Sequence, residues 1–183
     1  MSDAEITWDI YESPIGPLLL VGGEAGLRGL WFPGKTAAPP ESARAPMPAV
    51  AGQLEAYFGG ELRAFEVDTD MRGTPFDRAV WQALLDIPYG ETESYGQLAA
   101  RVDPDVFRTD VEPWQRARAV GAANGRNPVS IIVPCHRVIG ADGSLTGYFG
   151  GLRRKQLLLD LESGLAAGQE PDSPRAKHQL TML

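Results

Sequence analysis

Short apolar runs broken by turn residues open the chain, and apolar positions at helical spacing fill the rest of it. Ile6 to Tyr11, Pro17 to Val21 and Leu27 to Phe32 combine β-branched, aromatic and aliphatic residues and predict three strands. Ser13-Pro14-Ile15-Gly16 and Gly22-Gly23-Glu24-Ala25-Gly26 punctuate them as turns. Residues 33–48 carry five prolines and predict a loop. Val50 to Phe58 predicts a helix closed by Gly59-Gly60, and Leu62 to Val67 predicts a further strand. A domain boundary is expected near 68–74.

A helical part follows. Thr74-Pro75-Phe76-Asp77 is a start signal: Thr74 can accept from free N–H groups, Pro75 lacks a donor where none is needed, and Asp77 suits the helix dipole. Phe76, Val80, Ala83, Leu84 and Ile87 then repeat on one face, with Pro88-Tyr89-Gly90 as the stop. Ser94 predicts the cap of a second helix with Tyr95, Leu98, Ala99 and Val102 on its apolar face, and Pro113 opens a third that reaches Asn124-Gly125. Two such helices, the second bearing arginines, form a helix-turn-helix pattern, which ordinary packing helices also produce. Leu152 to Glu162 predicts the last helix, stopped by Gly164. The expected division is an N-terminal α/β domain over 1–73, a C-terminal domain over 74–164 and a mobile tail over 165–183, which holds His178.

Composition narrows the class. With 43% hydrophobic and 22% charged residues the chain reads as an ordinary globular protein, and no apolar run is long enough to predict a membrane span. The polar, acidic start lacks the basic and apolar parts of a secretory signal. One cysteine cannot make an internal disulfide, and with only two histidines a Cys/His zinc cage is not expected. A reducing, cytoplasmic setting is the expectation. The net charge of -7 seats its excess in residues 1–90. Residues 114–155 instead hold seven basic residues (Arg116, Arg118, Arg126, Arg137, Arg153, Arg154, Lys155) against Asp142 alone, a local basic surface suited to phosphates.

The only cysteine stands beside a histidine in Ile131-Ile132-Val133-Pro134-Cys135-His136-Arg137-Val138-Ile139-Gly140. The residues alone leave two readings. Free cysteine is often a small buried hydrophobe. It is also a nucleophile where a base or a positive neighbourhood favours the thiolate, which His136 and Arg137 can supply. Adjacency does not settle the matter, because neighbours in extended chain point apart.

Pro134-Cys135-His136-Arg137-Val138-Ile139 resembles the active-site motif of the O6-alkylguanine-DNA alkyltransferases, the methylated-DNA–protein-cysteine methyltransferases. Ile87-Pro88-Tyr89-Gly90-Glu91-Thr92, Ser94-Tyr95-Gly96-Gln97-Leu98-Ala99, Arg118-Ala119-Val120-Gly121, Asn127-Pro128 and Gly147-Tyr148-Phe149-Gly150-Gly151-Leu152 resemble family segments in the same order, and Ser13-Pro14-Ile15-Gly16-Pro17-Leu18 does so more loosely. The resemblance implies an α/β, ribonuclease-H-like cap domain ahead of a mainly α, winged-helix-like domain with a helix-turn-helix. It implies DNA repair by stoichiometric, single-turnover transfer of the alkyl group of O6-alkylguanine, and in some cases O4-alkylthymine, to a protein cysteine. No cofactor and no metal are expected, and double-stranded DNA met through its minor groove by a monomer is the expected partner. Cys135 matches the acceptor, His136 the base that acts through a water, and Glu162 the carboxylate that orients the imidazole. Tyr95 matches the donor to the departing purine, and Asn127 the residue that braces the cysteine turn. Tyr148, Phe149 and Gly150 match the wall of the base pocket, where backbone groups, with those at Cys135 and Val138, read the base. Arg118 matches an arginine finger that replaces the extruded nucleotide, and the small residues Ala117, Ala119, Gly121, Ala122 and Ala123 suit close approach to the minor groove.

One departure stands out. About nine residues more than the family pattern separate Tyr95 from Arg118, within Asp103 to Gln115, and they include Asp103, Asp105, Asp110 and Glu112. Such acids either repel phosphates or sit on a solvated loop that points away, the second being the expectation. The competing readings are a non-enzymatic binder of alkylated bases, a helix-turn-helix regulator and a generic Cys–His hydrolase. The presence of Cys135 disfavours the first, and the Cys-His-Glu set the second.

Overall fold

A computed structural model describes residues 6–107 and 112–164. Three antiparallel strands, β1 (Thr7–Ser13), β2 (Gly16–Gly23) and β3 (Gly26–Trp31), form a sheet in that order. Alternation along β2 sends Leu18 and Leu20 into the main core, while Leu19 and Val21 join Trp8 and Trp31 on the other face. The proline-rich loop folds back over that second face. There the Trp8 indole donates to the Pro40 carbonyl, and the Arg44 guanidinium lies over the Trp8 ring.

Helix α1 (Pro48–Phe58) follows, then α2 (Pro75–Leu85). Thr74 caps α2 by accepting from the Asp77 N–H, as its position predicts. The helix stops at Leu85, ahead of Pro88, because Ile87 turns back onto the Leu84 carbonyl. A two-residue strand β4 (Glu93–Ser94) leads into α3 (Tyr95–Arg101), where Ser94 and Gln97 cap each other reciprocally. Then come α4 (Pro113–Gly125), β5 (Val138–Ile139), paired parallel to β4, and α5 (Leu152–Glu162).

The strand predicted over Leu62 to Val67 does not form. The Gln53 side chain takes up both the N–H and the carbonyl of Glu66, so the segment is held without a ladder. The outer edge of β3 is instead covered by single parallel bridges, Leu27 to Thr69 and Leu30 to Val129. The second bridge carries the site, since the chain that leads to Cys135 leaves directly from that edge.

One hydrophobic cluster runs through both parts. It joins Leu18, Leu30 and Phe32 of the sheet to Leu54 and Tyr57 of α1, Trp81 and Leu84 of α2, Leu98 of α3, Val120 of α4 and Leu158 of α5. The tail expected over 165–183, His178 included, lies outside the described residues. No helix among the described residues is long and apolar enough to cross a membrane.

The described ends of the acidic segment between α3 and α4 are held against neighbouring helices, while Asp103, Asp105 and Glu112 stay exposed. Phe107 stacks edge-on against Phe76 of α2, and Arg116 lies over the Phe107 ring. Two of its acids sit at helix starts. The Asp103 carboxylate accepts from the Asp105 N–H, and Glu112 begins α4 with its N–H given to the Gln115 side chain. Arg108 and Asp110 lie outside the described residues.

Candidate active site

Cys135, His136 and Arg137 form a single 3-10 turn between an apolar run and β5. The approach is strained: Ile131 is the one described non-glycine residue at positive φ, 73°. A β-branched side chain resists that conformation at a cost on the order of 1–3 kcal/mol. Asn127 holds the turn in place. Its side-chain N–H donates to the Val133 carbonyl at 2.8 Å, and its oxygen accepts from the Val129 N–H at 2.9 Å. The Asn124 amide adds a long 3.4 Å bond to the Cys135 carbonyl.

Behind the cysteine lies a buried set of charges. Glu162, at the end of α5, accepts from His136 Nε2 at 2.8 Å, from Arg137 Nε at 2.8 Å and from the Tyr57 hydroxyl at 2.7 Å. The Gly90 N–H approaches the same carboxylate at 3.3 Å, and the Arg137 guanidinium also donates to the Ile87 carbonyl. Burial alone would push the Glu162 carboxyl up, yet the bonds and charges of His136 and Arg137 hold it well below the usual carboxylate range. Burial pushes His136 down despite that partner, so the imidazole is neutral at physiological pH. With Nε2 facing a carboxylate, the proton sits on Nε2 and Nδ1 carries the lone pair. His136 Nδ1 is buried and has no hydrogen-bond partner among the described residues. Burial also pushes the Cys135 thiol up, against the opposing Asn127 hydrogen bond and the charges of Lys35 and Lys155. The resting residue is therefore a thiol beside a neutral base.

A small cleft opens on this cysteine, lined by Lys35, Asn124, Asn127, Ser130, Tyr148 and Phe149 together with Gly125 and Gly147. Tyr95 stands at its edge: its hydroxyl donates to the Thr146 carbonyl at 3.3 Å, and its ring faces Gly121 of α4. Gly150 packs so closely on Phe32 that a Cβ would lie 2.6 Å from that ring, which accounts for glycine there. Val138 lies outside the lining. Its N–H goes to the Cys135 carbonyl and its carbonyl receives Lys155 Nζ at 2.6 Å. Lys155 also donates to the Thr146 carbonyl, and burial lowers its pKa to about 8.

The arginine helix presents a different surface. Arg118 and Ala122 are exposed, one turn apart, with Trp114 a further turn back and 62% exposed. Ala117, Ala119 and Gly121 are half-buried beside them. Four of the seven cations read from the sequence are engaged with partners within the protein, though only Arg137 and Lys155 are buried. Arg126 pairs with the buried Asp77 at 2.6 Å, Arg137 and Lys155 belong to the site, and Arg154 donates to the Ile15 and Gly150 carbonyls. Among the described residues no cluster of His, Cys, Asp and Glu suited to a metal ion comes together.

Tyr57 and Lys35 carried no signal in the sequence. Tyr57 falls there within the helix predicted over Val50 to Phe58, and Lys35 within the proline-rich loop. Both reach the site from the N-terminal part.

Known proteins resemble the chain over both parts. A family model described as 6-O-methylguanine DNA methyltransferase, DNA binding domain, matches residues 75–164, and one described as the ribonuclease-like domain of the same methyltransferase matches residues 6–71. The methylated-DNA–protein-cysteine methyltransferase of Mycobacterium bovis is 51% identical over 165 residues, 88% of this chain and 94% of the relative. That of Methanosarcina acetivorans is 48% identical, over 84% of this chain and 96% of its own. The crystal structure of Mycobacterium tuberculosis O6-methylguanine methyltransferase superposes with a TM-score of 0.75 at 46% identity, covering 90% of this chain and 96% of its own. A second structure from that organism, in complex with DNA, gives a TM-score of 0.73 at 46% identity, over 88% and 96% of the two chains.

Proposed function

The chain belongs to the 6-O-methylguanine DNA methyltransferase family, enzymes that repair DNA by alkyl transfer to a protein cysteine, and we propose that Cys135 is the acceptor and O6-alkylguanine the lesion. The observation that carries this reading is the buried Glu162–His136 pair set directly behind the single cysteine of the chain. Glu162, kept anionic by Arg137, fixes the Nε2–H tautomer and stabilises the imidazolium once it forms. Nδ1 of His136 then takes the thiol proton, through one water where the two side chains do not meet. The thiolate sulfur attacks the alkyl carbon in line with O6. The Sγ–C bond forms, the C–O6 bond breaks with its electron pair to the purine, and the Tyr95 hydroxyl donates to the ring nitrogen where that charge collects. The product is a thioether with no group to reverse it, so each molecule acts once.

The target carbon is inaccessible inside a duplex, so the nucleotide is extruded into the cleft lined by Tyr148 and Phe149, with Gly150 outside that lining and packed on Phe32. Arg118 occupies the gap from the exposed face of α4, and Ala117, Ala119, Gly121 and Ala122 let that helix approach the minor groove. One protein copy suffices for this chemistry, and a reducing cytoplasm keeps the lone thiol usable.

The test is intact-mass and peptide mass spectrometry after incubation with a duplex holding one O6-methylguanine. One methyl group per chain on the Cys135 peptide is expected, and none in Cys135→Ala. Methyl loss from the DNA in the presence of Cys135→Ala overturns the assignment.

A further inference from the structure

Helix α4 leads away from the cleft to a side chain that the alkyl transfer leaves unused. Its last residue, Gly125, forms part of the cleft lining. Lys35 ties that end to the wall: Nζ donates to the Asn127 and Gly125 carbonyls at 2.7 Å and 3.3 Å and lies 5.2 Å from the centre of the Phe149 ring. At about 100° per residue, Trp114 and Arg118 share the face of Gly125 to within about 40°, and Ala122 stays within about 80° of Trp114. All four are exposed. The stripe thus runs from the mouth of the cleft to Trp114, roughly 16 Å along the helix axis. No acid interrupts it, since Pro113 to Arg126 holds neither Asp nor Glu.

Trp114 is 62% exposed, more than any other exposed large hydrophobic among the described residues. Its backbone is nonetheless held. Glu112 and Gln115 cap the first turn of α4 reciprocally, and Arg116 lies over Phe107, which packs on Phe76 of α2. An indole is therefore kept in water on a braced turn, where contacts within the chain leave most of its apolar surface uncovered. Trp114 also falls in the stretch from Asp103 to Gln115 where the chain departs from the family pattern, so the family's own contacts supply no role for it. A phosphate suits it poorly: the ring has one N–H and no charge, and the exposed Glu112 nearby repels anions. The sugar edge of a minor groove is apolar and suits it well. Arg118 lies about 6 Å further along the axis, close to two base-pair steps. Resting on the reading that the extruded nucleotide enters this cleft, we infer that Trp114 is a second DNA contact, its indole packed on the deoxyribose edge of the minor groove beyond Arg118. Sugars carry no sequence information, so the contact strengthens binding to any duplex, damaged or not.

The experiment uses the full chain in a Cys135→Ser background, which prevents turnover, and duplexes with and without one O6-methylguanine. Trp114→Ala is expected to weaken binding to both about tenfold, the scale of one aromatic side chain losing its cover, and Trp114→Phe to keep most of the affinity. The dependence of affinity on salt is expected to keep its wild-type slope, because no charge is removed. A flattened slope, the sign of α4 and Arg118 unseated, overturns the inference. Trp8 and Trp81 are buried and Trp31 is half-buried, so Trp114 dominates the fluorescence that acrylamide can quench. Duplex is expected to shield that emission, and Trp114→Phe to show no such shielding. Unchanged duplex affinity in Trp114→Ala overturns the inference, as does emission that stays open to acrylamide once duplex is bound. So does self-association of the wild-type chain that Trp114→Ala abolishes, since the face then belongs to a second copy. Methyl transfer is read separately with Cys135 in place. Shielding of Trp114 by duplex in a protein that transfers no methyl group defeats the assignment of Cys135 as acceptor and upholds the DNA contact.

Discussion

The charges behind Cys135 and the charges on the outer face of α4 are organised in opposite ways. Glu162, His136 and Arg137 are all less than a tenth exposed, and the carboxylate is bonded on both oxygens. Arg118, by contrast, projects from an exposed stripe that also holds Trp114 and Ala122. The first region is complete before substrate arrives, in a low dielectric where each bond counts for more. On the function proposed above, the second is completed only when DNA covers it. The lesson is that sequence charge counts mislead about the partner-facing surface. Most of the cations between 114 and 155 serve the fold, and the acids nearest α4 cap helix turns.

If the buried set works as one unit, removing a single member should cost the most. Glu162→Gln leaves Arg137 without its counter-charge, and a loss of about 3–5 kcal/mol in denaturant unfolding is expected. The pH dependence follows the same logic. The folded pKa of Glu162 is depressed, so its contribution is present above the ordinary carboxylate value and is lost as pH falls through the folded one. The folded pKa of His136 is lowered too, so the unfolded chain takes up that proton first and acid erodes stability from about pH 6.5 downward. Wild type should therefore lose stability in two acid stages, the lower one missing in Glu162→Gln. A pH-independent unfolding curve between neutrality and strong acid would break the contrast drawn above.

Arg118 tests the other region. Arg118→Ala should slow repair of duplex DNA about a hundredfold, since base extrusion costs a few kcal/mol, and slow reaction with the free O6-alkylguanine base only a few-fold. Equal losses on both substrates would remove the finger role. On the same face, Trp114→Ala should change unfolding stability by less than about 0.5 kcal/mol, because little of the side chain is buried. A loss comparable to that of Glu162→Gln would mean that this stripe belongs to the core.

What could be read in advance follows the range of the interactions. Helix starts are local, and Thr74 and Ser94 announced theirs within three residues. The strands β1 to β3 are a local meander whose alternation is visible. Leu62 to Val67 has strand-like residues, and only tertiary structure says that Gln53 holds its backbone. The pairing of β4 with β5 spans two residues on each side and leaves no periodicity to detect. Within the site, the Cys-His-Arg turn was legible through the resemblance of its motif. Tyr57 and Lys35 were not, since they join it from far along the chain, 105 residues from Glu162 in the case of Tyr57.

The smallest expected effect lies in the acidic segment between α3 and α4. Deleting it is a poor test, because Phe107 packs on Phe76 and Glu112 starts α4, so the deletion should destabilise the helix that carries Arg118. Asp105→Asn is the cleaner probe. The Asp105 N–H that bonds Asp103 belongs to the backbone and survives, the shape is kept, and one exposed charge is removed. Because the turn is anchored at Phe107, that charge keeps a set position relative to α4 instead of sweeping through solvent. At a Debye length of roughly 10 Å in 0.1 M salt, a single exposed charge that touches no phosphate acts weakly. Duplex affinity, measured in a Cys135→Ser background to prevent turnover, should therefore rise by no more than about twofold at low salt, and the gain should vanish as salt is added. A gain that persists at high salt would place Asp105 against the DNA in direct contact. A loss of affinity would show that the segment itself grips the duplex, and the division between a finished site and an unfinished face would then run through this loop.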